Sequence, residues 1–161
     1  MQALLRDIGA TDGQAPHNER MTFTDLCDYF EKHYVREADY VDGRKVAGVR
    51  SLGTAKGQLT VLRDHFGSCR LGSITHGDVR QFRAARLAQK TRTYGQRTIA
   101  SVDRELSMLR RMLNVAQREG WILRNPFAAG DSLISLADEN KRERILTRDE
   151  ELKLLAACDT P

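Results

Sequence analysis

The stretch that decides the fold runs from Thr98 to Phe127 and reads TIASVDRELSMLRRMLNVAQREGWILRNPF. At about 100° per residue, its apolar side chains share one face of a helix. They are Ile99, Val102, Leu106, Leu109, Leu113 and Ala116. Arginines recur at seven-residue steps on the other side, at Arg97, Arg104, Arg111 and Arg118. Because Thr98 can cap the helix and Gly120 can end it, the pattern predicts an amphipathic helix with an arginine face that either binds anions or is solvated.

Apolar periodicity predicts three further helices upstream, at about 23–37, 50–66 and 76–89. The segment 39–48 is predicted to be a polar connection, and 90–97, KTRTYGQR, a basic loop. Thr147 and Glu150 have the spacing of a capping box, which predicts the start of another helix that stops at Pro161. The expected fold class is therefore all-α.

Length and composition favour one domain of ordinary size with tails. A chain of 161 residues that is 40% hydrophobic can bury a substantial core. We predict a loosely ordered leader at 1–20, a helical domain at 21–127, an interdomain linker at 128–146 and the start of a further domain at 147–161.

Charge is distributed unevenly along the chain. The net charge is only +4, but residues 80–119 contain ten bases and three acids, whereas residues 19–42 contain three bases and seven acids. A basic segment of this kind favours a polyanionic partner, nucleic acid above all, for the second half of the chain.

Other classes of protein are disfavoured. Cys27, Cys69 and Cys158 form an odd, widely spaced set, which suggests neither a disulfide framework nor a zinc site. The sequence has no long apolar run and no signal-peptide pattern, so we expect a cytoplasmic protein without a membrane partner. No metal or cofactor is expected.

The order of the predicted elements resembles the tyrosine recombinases, the phage-integrase family. Four helices are followed by GWILRNPF at 120–127, a charged linker, and RILTRDEELKLLAAC at 144–158. The resemblance covers about 22–158 and implies a core-binding domain of SAM-like helical fold, followed by the start of a catalytic domain. It further implies binding to duplex DNA at a recombination core site, with other protomers of the full-length recombinase as partners on DNA and a monomer in their absence.

The chemistry of the resembled family lies in its catalytic domain, which supplies an arginine in a TGxR-like turn, a lysine, an HxxR pair and a tyrosine nucleophile that attacks the phosphate. None of Tyr29, Tyr34, Tyr40 and Tyr94 has such a setting. His17 and His33 are each followed by an arginine at the HxxR spacing, but both lie upstream of the segment that resembles the catalytic start. We therefore expect no catalytic residue and no DNA cleavage by this chain.

The resemblance and the basic pattern together indicate which residues would bind DNA. In the resembled family, the second and fourth helices face the major groove. The candidates are Arg50, Thr54, Lys56, Lys90, Arg92, Thr93, Tyr94, Gln96, Arg97, Thr98, Ser101, Arg104 and Arg111. Gly53 and Gly57 would form either a helix-packing notch or a place where a DNA backbone can come close. Two alternatives stay open: a stand-alone DNA-binding regulator, and a helical module whose arginine face binds an acidic protein.

Overall fold

Helices dominate the computed structural model, which describes residues 20–91, 95–135 and 144–158. The helices are α1 (Phe23–Tyr34), α2 (Leu52–Phe66), α3 (His76–Ala88), α4 (Ile99–Arg118) and α5 (Arg148–Cys158). The strands are β1 (Asp39–Val41), β2 (Arg44–Ala47), β3 (Lys90–Thr91) and β4 (Gly95–Gln96). All five predicted helices are present, and the first ends three residues earlier than expected.

The prediction of an all-α chain is wrong in two places. The expected polar connection contains the antiparallel pair β1–β2, and the expected basic loop contains the antiparallel pair β3–β4. Asp42 and Gly43 connect β1 to β2 with φ values of 49° and 76°. A tight antiparallel turn requires positive φ at both central residues, and an Asp-Gly dipeptide is a sequence signal for such a turn. Apolar periodicity at helical spacing does not detect this signal.

Gly48 fixes the base of the β1–β2 pair against the end of α1. Its φ is +71°, and a Cβ placed there would lie 1.9 Å from the Glu37 carbonyl oxygen. The backbone N–H of Val49 donates to the Arg36 carbonyl oxygen over 2.8 Å. Only glycine fits this position, so the direction in which the strand pair leaves the helices is set by the backbone.

Aromatic side chains join the first three helices. Phe23, Phe66 and Phe82 are fully or almost fully buried, and their ring centroids lie 5.5 Å apart for Phe23–Phe66 and 5.3 Å for Phe66–Phe82. Cys27 is buried beside them, and burial raises the pKa of its thiol to about 12. This cysteine therefore acts as a small apolar core residue.

Helix α4 supplies the other half of the core. Five of its six predicted apolar residues are fully buried, and Ile99, in the first turn, is half-buried. The fully buried set is Val102, Leu106, Leu109, Leu113 and Ala116. Met112 and Val115 are buried as well, which widens the buried face beyond the predicted stripe.

The segment after α4 folds back onto the helices. Asn125 is buried, and its amide nitrogen donates to the Arg110 carbonyl oxygen and to the Asn114 side-chain oxygen. Further along, Leu133 and Ile134 pack against the core. Helix α5 begins with the predicted box between Thr147 and Glu150 and has no buried residue. The predicted leader, apart from Arg20, and 136–143 of the predicted linker lie outside the described residues, so the division into domains stays a prediction.

Candidate nucleic-acid interface

The first four helices alternate in direction along the chain. Arg63 and Lys56 of α2 face Asp28 and Glu31 of α1, at 2.7 Å and 3.9 Å between the charged atoms. Phe82 of α3 packs on Phe66, at the far end of α2. Two further contacts show that α4 runs antiparallel to its neighbours. Near their C-terminal ends, α3 contacts Glu105 of α4 through Arg86, and α1 contacts Arg111 of α4 through Tyr34. The N-termini of α2 and α4 therefore lie at the same end, together with both strand pairs; we call it the strand end.

The helix N-termini at the two ends differ in charge. At the opposite end, α1 and α3 begin with capping boxes. In each box an aspartate, Asp25 or Asp78, accepts a hydrogen bond from the backbone N–H of the N-cap threonine. The Thr75 backbone N–H holds the pKa of the Asp78 carboxyl below its usual value. At the strand end, α2 and α4 are capped by the neutral hydroxyls of Ser51 and Thr98, and neither has an acid in its first turn.

A helix N-terminus carries a partial positive charge from its free N–H groups, and a carboxylate in the first turn offsets it. That offset is present in α1 and α3 and missing in α2 and α4. Two helix N-termini without a first-turn acid thus lie at one end of the helices, where they favour an anionic ligand.

Basic side chains surround these N-termini. Arg50, Lys90 and Arg104 are exposed, and they form no ion pair among the described residues. Lys56 is also exposed, and its 3.9 Å pair with Glu31 joins two largely exposed side chains, so it is weak. Gln96 is exposed on β4. These candidates therefore lie at the same end of the helices, in or beside the first turns of α2 and α4 and on the β3–β4 pair.

Polar candidates in the first turns are already engaged in capping. The Thr98 hydroxyl accepts from the Ser101 backbone N–H, and the Ser101 hydroxyl donates to the Thr98 carbonyl oxygen over 3.0 Å. The Thr54 hydroxyl accepts from Ser51 over 2.9 Å. A ligand at these residues would therefore meet hydroxyls whose orientation is set by the helix caps.

Arg97 differs from its expected position. Its NH1 atom lies 3.6 Å from a carboxylate oxygen of the buried Glu105, and its side chain is only 25% exposed. The reason is that Thr98 caps α4 with extended backbone, so the helical spacing from Arg104 does not reach back to Arg97. Of the four arginines at seven-residue steps, Arg104, Arg111 and Arg118 are exposed on α4.

Arg111 has a packing role that its spacing could not reveal. Its guanidinium carbon lies 5.6 Å from the ring centroid of Phe30 and 5.8 Å from that of Tyr34, and these two rings stack on each other. Such a contact contributes about 0.5–1 kcal/mol at an exposed site. Arg111 remains exposed in this contact.

Among the described residues, a Cβ at Gly53 or at Gly57 of α2 would meet no atom within 4 Å. These residues therefore form no helix-packing notch there, while close approach of an outside backbone stays a prediction. A glycine inside a helix costs about 1 kcal/mol of helix stability relative to alanine. No packing contact within the described chain offsets this cost at Gly57.

Replacing Gly57 with glutamine tests this surface. We expect the free energy of unfolding to rise by roughly 0.5 kcal/mol, because glutamine is the better helix former. Affinity for duplex DNA should fall by roughly tenfold, about the weight of one phosphate contact, because the new side chain projects into the approach path. Thermal melts and binding isotherms measure the two effects. Gly77→Gln, in the first turn of α3 at the opposite end, is the matched control; equal losses of affinity in both variants would contradict the assignment.

Two shallow grooves, of about 310 and 380 Å³, lie on either side of His65 between α2 and α3. Burial against the rings of Phe66 and Phe82 lowers the pKa of the His65 imidazole, and the nearby Arg86 adds to this effect. In the described ranges, no three His, Cys, Asp or Glu side chains are grouped so that they could hold a metal ion.

Sequence reasoning missed the buried ion pair between Arg86 and Glu105. A signal existed, because Glu105 falls at helical spacing beside the core residues Leu109 and Met112, and a charge on an apolar face is a sign of a buried partner. Three predicted site residues, Arg92, Thr93 and Tyr94, lie outside the described residues.

Comparisons with protein-family models, with curated proteins and with solved structures found no match to this chain. In the part of the chain that the structure describes, no helix combines the length and the apolar character needed to cross a membrane. Function must therefore be argued from the site.

Proposed function

We propose that this chain binds duplex DNA through the strand end. The observation that carries the proposal is the coincidence there of two helix N-termini without a first-turn acid, exposed bases, and a glycine-lined stretch of α2. Phosphates are recognised by helix N-termini and by basic side chains, and these contacts position a protein on a duplex. The described residues at the opposite end, where Asp25 and Asp78 occupy the first turns, lack this combination.

We propose further that the chain is the core-binding part of a tyrosine recombinase, with a SAM-like helical fold and the start of a catalytic domain. The order of the helices and the segments 120–127 and 144–158 support this, as does the box of Thr147 and Glu150 at the start of α5. On this proposal the chain contacts the recombination core site and performs no DNA cleavage itself. The full-length recombinase would assemble further protomers on the same DNA.

A protein partner is the second candidate, and one observation favours it. Tyr40, Val41 and Val46 of the β1–β2 pair are more than half exposed, at 57%, 57% and 61%. Exposed apolar side chains on a short strand pair are typical of contact surfaces. A partner of that kind would bind with little dependence on salt, which separates it from DNA.

Salt titration of DNA binding tests the proposal. About four to six phosphates would be neutralised by the basic residues of the strand end, which are Arg50, Lys56, Lys90, Arg97 and Arg104. The plot of log K against log salt concentration should therefore have a slope near −4 to −5. Affinity should be about micromolar at physiological salt, in the range of non-specific binding. Poly-glutamate, an anion without duplex geometry, is the control ligand. A slope flatter than about −1 for duplex DNA would remove the proposed function.

A further inference from the structure

An ion pair is buried where α3 meets α4. Glu105 is 5% exposed and Arg86 is 7% exposed. The Arg86 Nε donates to one carboxylate oxygen over 2.7 Å, and its NH2 donates to the other over 2.6 Å. Both oxygens of Glu105 are therefore bonded by a single guanidinium in the two-point geometry that fixes orientation as well as distance.

This pair extends to both strands of the β3–β4 sheet. The NH1 of Arg86 donates to the side-chain oxygen of Gln89, the residue directly before β3. On the other side, Arg97 follows β4 and lies 3.6 Å from Glu105. A single buried carboxylate thus connects α4 to the residue that enters the sheet and to the residue that leaves it.

The cluster carries two positive charges and one negative charge. Glu105 is already bonded twice to Arg86, and Arg97 approaches it only at ion-pair distance. The Nε of Arg97 is buried and has no hydrogen-bond partner among the described residues. Within that part of the chain, Arg97 therefore retains positive charge at the base of β4 and keeps an unused donor.

Buried ion pairs contribute little to stability on average, since the free energy of removing two charges from water offsets their attraction. Apolar residues of similar volume often serve stability equally well. What such residues cannot do is hold Gln89 and Arg97 in place.

We propose that Glu105 is a positioning residue for DNA binding: through Arg86 and Arg97 it fixes strands β3 and β4 on α4 and presents Lys90 and Gln96 in one orientation. This inference rests on the proposed function for its ligand. A preorganised segment binds more tightly because less conformational freedom is lost on binding.

The test replaces the pair with apolar residues, in the variant Arg86→Met/Glu105→Leu. We expect a melting temperature within a few degrees of the wild type or above it, and roughly tenfold weaker binding of duplex DNA. Amide hydrogen exchange in β3 and β4, at 90–91 and 95–96, should accelerate, while exchange in α1 stays the same. Wild-type DNA affinity in a well-folded variant would overturn the proposal, because the pair would then be only structural.

Gln89→Ala keeps the test decisive if the double variant does not fold, because Gln89 is exposed and its loss leaves the core intact. It should accelerate exchange in β3 and β4 and weaken DNA binding, as in the double variant; unchanged exchange would count against the proposal. The matched control is Gln81→Ala, an exposed position nearer the start of α3, where neither effect is expected. Exchange is measured without DNA, so it tests the positioning role separately from the proposed function. If the wild type does not bind DNA, the proposed function fails, but the exchange rates still show whether Glu105 fixes the sheet.

Discussion

The variant Arg50→Gln/Lys90→Gln/Arg104→Gln should bind duplex DNA about 100- to 1000-fold more weakly than the wild type near 0.1 M salt. All three side chains are exposed at the strand end and form no ion pair among the described residues, so their loss removes charge without breaking a contact of the fold. The salt slope should become shallower by about 2.7, since each lost phosphate contact accounts for roughly 0.9. Isotherms at four or more salt concentrations measure both quantities.

A control variant with the same loss of charge shows whether affinity depends on where the bases lie or only on the net charge. Arg80, Arg118 and Arg124 are exposed and lie toward the opposite end, near the start of α3 and the end of α4. Replacing these three with glutamine lowers the net charge by the same amount, so only long-range attraction should weaken. Equal losses of affinity in the two triple variants would show that binding follows total charge, and the strand end would lose its assignment.

The helices could be predicted because their signal is local. Apolar residues at three- and four-residue steps must share a face, and the buried apolar set of α4 is the predicted one without Ile99 and with Met112 and Val115 added. The caps at Thr22, Thr75 and Thr98 are equally local, since each hydroxyl bonds an N–H three residues on.

The missed features depend on contacts between distant parts of the chain or on very short elements. The β3–β4 strands have two residues each, too few for an alternating pattern to be visible. Arg111 reaches Phe30 and Tyr34 across the space between α4 and α1, and Glu105 joins Arg86 and Arg97 through space. Periodicity assigns a residue to a face of its own helix, but it does not say which side chain lies opposite.

The two faces of α4 lead to opposite expectations for stability and binding. Leu109 and Leu113 are fully buried, so Leu109→Ala or Leu113→Ala should lower the free energy of unfolding by about 2–5 kcal/mol as a cavity opens in the core. Arg104→Ala should change it by less than about 0.5 kcal/mol, because the side chain is exposed. For Arg111→Ala we expect an intermediate loss in the free energy of unfolding, about 0.5–1 kcal/mol, because the contact of Arg111 with Phe30 and Tyr34 is removed.

Urea unfolding and DNA binding on the four variants separate fold from function. The leucine variants should bind DNA normally at temperatures where they remain folded, since neither side chain reaches the surface. Arg104→Ala should lose roughly tenfold in affinity, the weight of about one phosphate contact. Because Arg111 lies further from the strand end than Arg104, its loss should weaken binding less than that of Arg104 while destabilising the fold more. If Arg111→Ala instead impaired binding more than Arg104→Ala at equal folded fraction, the DNA-binding surface would lie along the outer face of α4 rather than at the N-termini of α2 and α4.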